Sequence, residues 1–270
     1  LVMGFGSAGQ KHAMILKKYL NFKKIYIYTS KKKIKNFRII NNLKDIKNYN
    51  FEYFVISSET SKHYDCLKYI EDNFRGKKIL VEKPLFEKFR KIKIKNNKVF
   101  VGYNLRMHPL LKKIKSFLNK KKIYSINVIC NSFLPNWRKN IYYKKSSSVS
   151  RKKGGGVILD LSHEFDYINW IFGDIKPKFV SINKLSNLTL NTEDSFLLYG
   201  KIYNTKLSLD LNYFSRIQKR LIFIDGEKFS ATIDIVKGTL KISYNDKIST
   251  IRIKEKNKDF TYINLHKKIL

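Results

Sequence analysis

The chain has 270 residues, with 56 Lys and Arg against 21 Asp and Glu and a formal net charge of +35. That length holds two modest domains with a real core. No stretch approaches a membrane span or reads as a secretory signal, and two distant cysteines, Cys66 and Cys130, suggest neither a disulfide framework nor a cysteine metal cluster, so a cytoplasmic location is expected.

In chain order, residues 1–3 read as the end of a first strand. Three residues are few for a strand, so some chain is expected to be missing before it. Residues 8–20 form a helical pattern. Residues 24–28, 51–56, 78–81 and 99–101 are short β-branched and aromatic runs, with an amphipathic stretch reaching residue 74 between the second and third. Strands alternating with helices predict a doubly wound parallel sheet, a Rossmann-type α/β domain over residues 1–104. Beyond it the pattern changes. Residues 109–119 read as a helix, 123–130 as a strand, 131–153 as a long polar loop, and 156–172 as a helix closed by Gly173. Strands then follow at short spacing over 179–185, 195–203, 206–213, 221–224, 230–235, 239–243 and 248–253. Turns are expected at Asn204-Thr205 and Asp225-Gly226. Residues 105–270 thus predict an α+β domain with a mostly antiparallel sheet. Its open face is expected to serve self-association, giving a homo-oligomer. Residues 260–270 begin a helix that is expected to continue in a longer chain.

Two features carry chemistry. The loop Gly4-Phe5-Gly6-Ser7-Ala8-Gly9 follows a strand and opens a helix. There Gly4 permits a tight turn, Gly6 a close approach to pyrophosphate, and Gly9 helix packing on the sheet. The helix N-terminus, at Ser7 and Ala8, offers free N–H groups to phosphate. A glycine-rich turn without a ligand is the alternative. The run Val81-Glu82-Lys83-Pro84-Leu85 ends a later strand, at the sheet edge where ligands of such folds lie. After the second strand the chain has Thr29-Ser30-Lys31 and no carboxylate for a ribose hydroxyl; Ser30 and Lys31 there favour NADP over NAD.

In the second domain, Asp160 and His163 are three apart and share a face if helical. A carboxylate beside an imidazole fixes its tautomer and raises its basicity. The alternative is a helix histidine satisfied by Asp160 or Asp166. No second histidine stands at zinc-ligand spacing, and no metal is expected.

Taken together, the segments GFGSAGQKH (4–12), SSETSKHY (57–64), VEKPL (81–85), GYNLRMHP (102–109), LPNWR (134–138) and GGGVILDLSHEFDYINWIFG (154–173) resemble the Gfo/Idh/MocA oxidoreductases over nearly the whole chain. The last three resemble a subgroup that often acts on sugars or nucleotide-activated sugars in surface glycan synthesis. The resemblance implies a nicotinamide cofactor held by Gly4, Gly6, Ser7, Ala8, Gly9, Ser30, Lys31, Ser57, Thr60, His63, Glu82 and Lys83. It implies Lys83 at the nicotinamide ribose and substrate hydroxyl, His163 as base, and Asp160 at the substrate. Trp137, Arg138 and Tyr143 would line a sugar pocket, with Trp137 otherwise serving simple packing. Arg106 would brace the domain junction rather than touch substrate. The chain departs from the subgroup at Tyr142 and Ser147, where an acidic residue and a tyrosine are usual, and this bears on the substrate. Two other functions remain open on the sequence: an inactive dinucleotide-binding sensor and a basic nucleic-acid-binding protein. Neither has a signature of its own, because the specific nucleic-acid motifs are absent and the lysines are spread evenly, in company with Ile, Asn, Phe and Tyr.

Overall fold

A computed structural model describes residues 1–138, 142–253 and 257–270. The chain divides into two compact units, one of residues 1–104, 152–154 and 259–270, the other of 105–151 and 155–258.

The first unit opens with β1 (Val2–Met3), α1 (Ser7–Tyr19), β2 (Tyr26–Tyr28), β3 (Arg38–Ile40), β4 (Tyr53–Ile56), α2 (His63–Asn73), β5 (Lys78–Val81) and β6 (Lys98–Val101). Its six strands are all parallel, in the order β3-β2-β1-β4-β5-β6. β4 and β5 are buried almost throughout, as expected of a parallel sheet covered on both faces. The chain leaves β1 toward β2 on one side and later returns to β1's other side with β4. The crevice between the loops after β1 and β4 is therefore the topological switch point. β3 is a strand the periodicity did not predict; three residues are too few to show alternation. One carboxylate staples α2 to the chain entering β6: Glu71 accepts the N–H groups of Lys95 and Asn96, both at 2.7 Å, and the amide of Asn97 at 2.8 Å.

The second unit holds α3 (Pro109–Phe117), β7 (Ile123–Phe133), α4 (Val157–Asp160), α5 (His163–Phe172), β8 (Lys176–Asn183), β9 (Ser195–Ile202), β10 (Thr205–Asn212), β11 (Phe214–Gly226), β12 (Phe229–Asp234), β13 (Thr239–Tyr244) and β14 (Lys247–Arg252). They form one sheet, β14-β13-β12-β11-β7-β10-β9-β8, antiparallel except for the β7–β10 pair. Period-two burial along β9, β10 and β12 turns Leu198, Leu207, Leu209 and Ile233 into the core. Each such side chain contributes about 1.5–3 kcal/mol by leaving water.

Three expectations are corrected. The helix over 156–172 is two helices, broken at Leu161 and Ser162, where the Glu164 N–H bonds the Leu161 carbonyl and tightens the turn. The hairpin turns lie at Tyr203-Asn204 and Glu227-Lys228, where Tyr203 and Lys228 take φ of 50° and 61°. The terminal helix, α6 (Phe260–Ile269), groups with the first unit rather than the second. Its Thr261 accepts a hydrogen bond from Asn104, and its His266 is fully buried.

Candidate active site

In the first unit the three loop glycines do three different jobs. Gly4 has φ +96°, and a Cβ there would stand 2.6 Å from the Ser58 backbone. A Cβ on Gly9 would stand 2.1 Å from the Gly4 carbonyl. These two are required by the close approach of the β1 and β4 loops and of α1. A Cβ on Gly6 meets nothing within 4 Å. Gly6 and Ser7 are exposed, Ala8 half-buried, and no side chain caps α1 or places an acid in its first turn. The helix thus presents bare N–H groups and its positive end to open space beside a residue without a side chain. That cradle fits a pyrophosphate.

Ser30 and Lys31 are exposed after β2; Lys31 Nζ lies 5.5 Å from the Phe5 ring of the glycine loop. The amide of Asn41 ties this segment by bonding the Thr29 and Lys31 carbonyls. Ser57 is buried and gives its hydroxyl to the Met3 and Gly4 carbonyls, so it shapes the loop. Thr60 packs against Gly154, whose Cβ would come within 2.8 Å of it. His63 is buried with its ring nitrogens 3.1 Å from the carbonyls of Pro84 and Ser58, clasping the turns after β4 and β5; burial lowers its pKa.

Glu82 and Lys83 emerge from the carboxyl end of β5, and the Lys83-Pro84 peptide is cis. Glu82 is buried. One of its oxygens lies 2.7 Å from His12 Nε2, and the other accepts the Lys83 N–H at 3.1 Å. Burial pushes its carboxyl up, but the His12 hydrogen bond and the charges of His12 and Lys83 prevail and hold it below its ordinary value.

In the second unit, Asp160 closes α4 and His163 opens α5, so they do not share one helix face. Tyr213 donates its hydroxyl to Asp160 at 2.5 Å. Burial, then the Asp160 charge, keep that hydroxyl protonated. Trp137 sets its ring edge-on to Tyr213, centroids 5.2 Å apart, and donates Nε1–H to Ser132. It is half-buried and packed, and braces the tyrosine that holds Asp160. Arg138 is half-buried, and its charge acts on Tyr213. Tyr143 accepts the Thr189 N–H. His163 is 8% exposed, and the two carboxylates that follow it on α5 are bound by arginines. Glu164, fully buried, binds Arg220 two-pronged at 2.7 and 3.1 Å, and Arg106 forks onto Asp166 at 2.6 and 2.9 Å. Asp166 is thus a structural anchor of α5, held by Arg106 of the same unit.

Sequence reasoning missed His12, Tyr213 and the Glu164–Arg220 pair. His12 lay in view, three residues after Gly9; the others depend on strands distant in sequence. Among the described residues no three His, Cys, Asp or Glu are grouped to hold a metal, and no helix is long and apolar enough to cross a membrane.

A family model described as "Oxidoreductase family, C-terminal alpha/beta domain" (GFO_IDH_MocA) matches residues 119–263, more than half of the chain. An uncharacterized oxidoreductase, sll0816, of Synechocystis sp. is 27% identical over 142 residues, 49% of this chain; the match spans 38% of that relative's length. Among solved structures, a levoglucosan dehydrogenase in complex with NADH superposes with TM-score 0.81 at 16% identity, covering 99% of this chain and 87% of that one. The WlbA dehydrogenase from Bordetella pertussis, in complex with NADH and UDP-GlcNAcA, gives 0.75 at 16% identity, covering 100% and 88%. These two likenesses are of fold.

Proposed function

The chain belongs to the Gfo/Idh/MocA family of oxidoreductases, and on that premise we propose that it transfers hydride between NAD(P) and a hydroxyl-bearing carbon of a sugar or nucleotide sugar, in surface glycan synthesis. The observation that carries this reading is the open, uncapped Gly6 cradle on the same sheet edge as Glu82 and Lys83. The sugar class is supported by the levoglucosan and UDP-GlcNAcA names of the structural neighbours.

When bound, a nicotinamide supplies the hydride acceptor or donor. The amides of Ser7 and Ala8, with Gly4, Gly6 and Gly9 around them, hold the pyrophosphate. Ser30 and Lys31 favour a 2′-phosphate, hence NADP. Ser57, Thr60 and His63 shape the second wall of the crevice. His163 takes the hydroxyl proton, and Lys83 donates a hydrogen bond or relays that proton. Asp160, oriented by Tyr213, receives the substrate with Trp137, Arg138 and Tyr143 alongside; Arg138 offers a fork for phosphate or carboxylate.

Fluorescence titration with NADPH and NADH, followed by absorbance at the reduced-cofactor band with a panel of nucleotide sugars, tests the reading. The expected result is tighter binding of NADPH and sugar-dependent oxidation. A lower dissociation constant for NADH overturns the NADP preference, and binding of neither overturns the function.

A further inference from the structure

Behind the turn that carries Lys83 runs a line of buried polar groups that this chemistry does not use. Tyr53 on β4 is 4% exposed, His266 on α6 and His12 on α1 are 0%, and Glu82 is 6%. They join end to end. Tyr53 Oη lies 3.0 Å from His266 Nδ1, His266 Nε2 lies 2.8 Å from His12 Nδ1, and His12 Nε2 lies 2.7 Å from Glu82 Oε1. Glu82 Oε2 then accepts the Lys83 N–H at 3.1 Å. Elements up to 254 positions apart in the sequence thus converge on one carboxylate.

Donor and acceptor capacity fixes the end of the line. An ionised carboxylate only accepts, so His12 donates from Nε2. At the two remaining contacts, His12 with His266 and His266 with Tyr53, one partner donates and the other accepts. Burial, followed by the charge of His12, drives His266 down to about 3, and burial raises the Tyr53 hydroxyl, so both act as neutral groups. The Tyr262 ring packs edge-on against His12 at 5.4 Å and closes the side of the line. Such a fully paired buried network fixes one geometry, because any rotation leaves a polar group without a partner in low dielectric.

We propose that His266 is a positioning residue of the active-site turn: through His12 it fixes the Glu82 carboxylate, which pins the backbone of Lys83. The terminal helix is thereby part of the machinery that aims Lys83. This rests on the reading of Lys83 as an active-site residue.

The test uses the full chain with His266→Ala, His266→Gln and Tyr53→Phe. Amide hydrogen exchange is read residue by residue at Lys83 and at Ile79, Leu80 and Val81, beside fluorescence titration with NADPH and NADH. In His266→Ala the Lys83 amide exchanges about tenfold faster or more, while the β5 amides keep their rates. His266→Gln, which restores a donor and an acceptor, returns the rate to within about threefold of the parent, and cofactor affinity stays within about threefold in both. Unchanged exchange at Lys83, or an equal rise along β5, overturns the proposal and makes His266 a packing residue only. If His266→Ala fails to fold, Tyr53→Phe carries the test, with an expected rise of about threefold at Lys83 and none in β5; no rise overturns the proposal. A parent chain that binds neither cofactor overturns the functional reading instead and leaves the exchange result standing.

Discussion

At the scale of single residues, the three loop glycines separate folding from binding. Gly6→Val adds a side chain into open space. It is expected to fold with an unchanged melting temperature and to lose NADPH and NADH binding. Gly9→Val drives a Cβ into the Gly4 carbonyl and is expected to lower or abolish the melting transition itself. Equal melting temperatures for the two variants would refute this division. Lys83→Ala and His163→Ala are each expected to cut turnover on the order of a hundredfold or more, with folding and cofactor affinity retained. His163→Asn should match His163→Ala, since Asn fills space without taking a proton. Near-full activity in His163→Ala beside a dead Lys83→Ala would make lysine alone the base. The glycines were legible in the sequence because backbone geometry is a local demand. Tyr213, whose hydroxyl meets Asp160 53 positions away, was not, because no local pattern encodes a partner at that distance.

At the scale of elements, Glu71 shows how one side chain holds a helix to a distant turn. Burial works against its charge, yet two backbone N–H groups and Asn97 prevail and hold its carboxyl below the ordinary range. Hydrogen bonds to charged groups contribute about 1.5–3 kcal/mol each, and the donors near residue 96 find water when released. Glu71→Ala is therefore expected to cost about 2 kcal/mol in denaturant unfolding. A folded pKa below the unfolded one means the contribution is complete above the unfolded value, about 4.3. It is lost as pH falls through the folded value. Glu71→Gln should flatten the acid side of the stability profile, and an unchanged acid limb would count against the carboxylate staple. Most strands and helices were legible from period-two and helical patterns. The break between α4 and α5 was not. It is flanked by two tertiary pairs, Glu164 with Arg220 on β11 and Asp160 with Tyr213 between β10 and β11, whose partners lie 56 and 53 residues along the chain and leave no local pattern.

At the scale of the whole molecule, charge and one open sheet edge dominate. A net charge of +35 is expected to give retention on heparin or random DNA that collapses between about 50 and 200 mM salt, without sequence preference. Retention that persists at the higher salt with a preferred sequence would reopen the nucleic-acid reading. β8 is an edge strand, and Phe179, Ile182 and Tyr199 on it and on β9 are each more than 50% exposed. Unprotected apolar edges of this kind pair with other chains. The chain is expected to sediment as an oligomer at micromolar concentration, and Phe179→Asp to shift it toward monomer. A strictly monomeric parent would refute this. The mostly antiparallel sheet was legible from turn spacing; the β7–β10 parallel pair was not, since pairing direction leaves no mark in periodicity.

The membership of α6 in the first unit has a consequence for the order of events on the ribosome. The strands of that unit emerge first, but the helix that covers His12 is made after the whole of the second unit. The nascent first unit must wait with a buried histidine uncovered, while the residues of the second unit are already complete and free to condense. Of the two units, the one whose residues begin first is therefore the one whose residues are completed last. The cofactor cradle, translated first, belongs to the unit that is finished last.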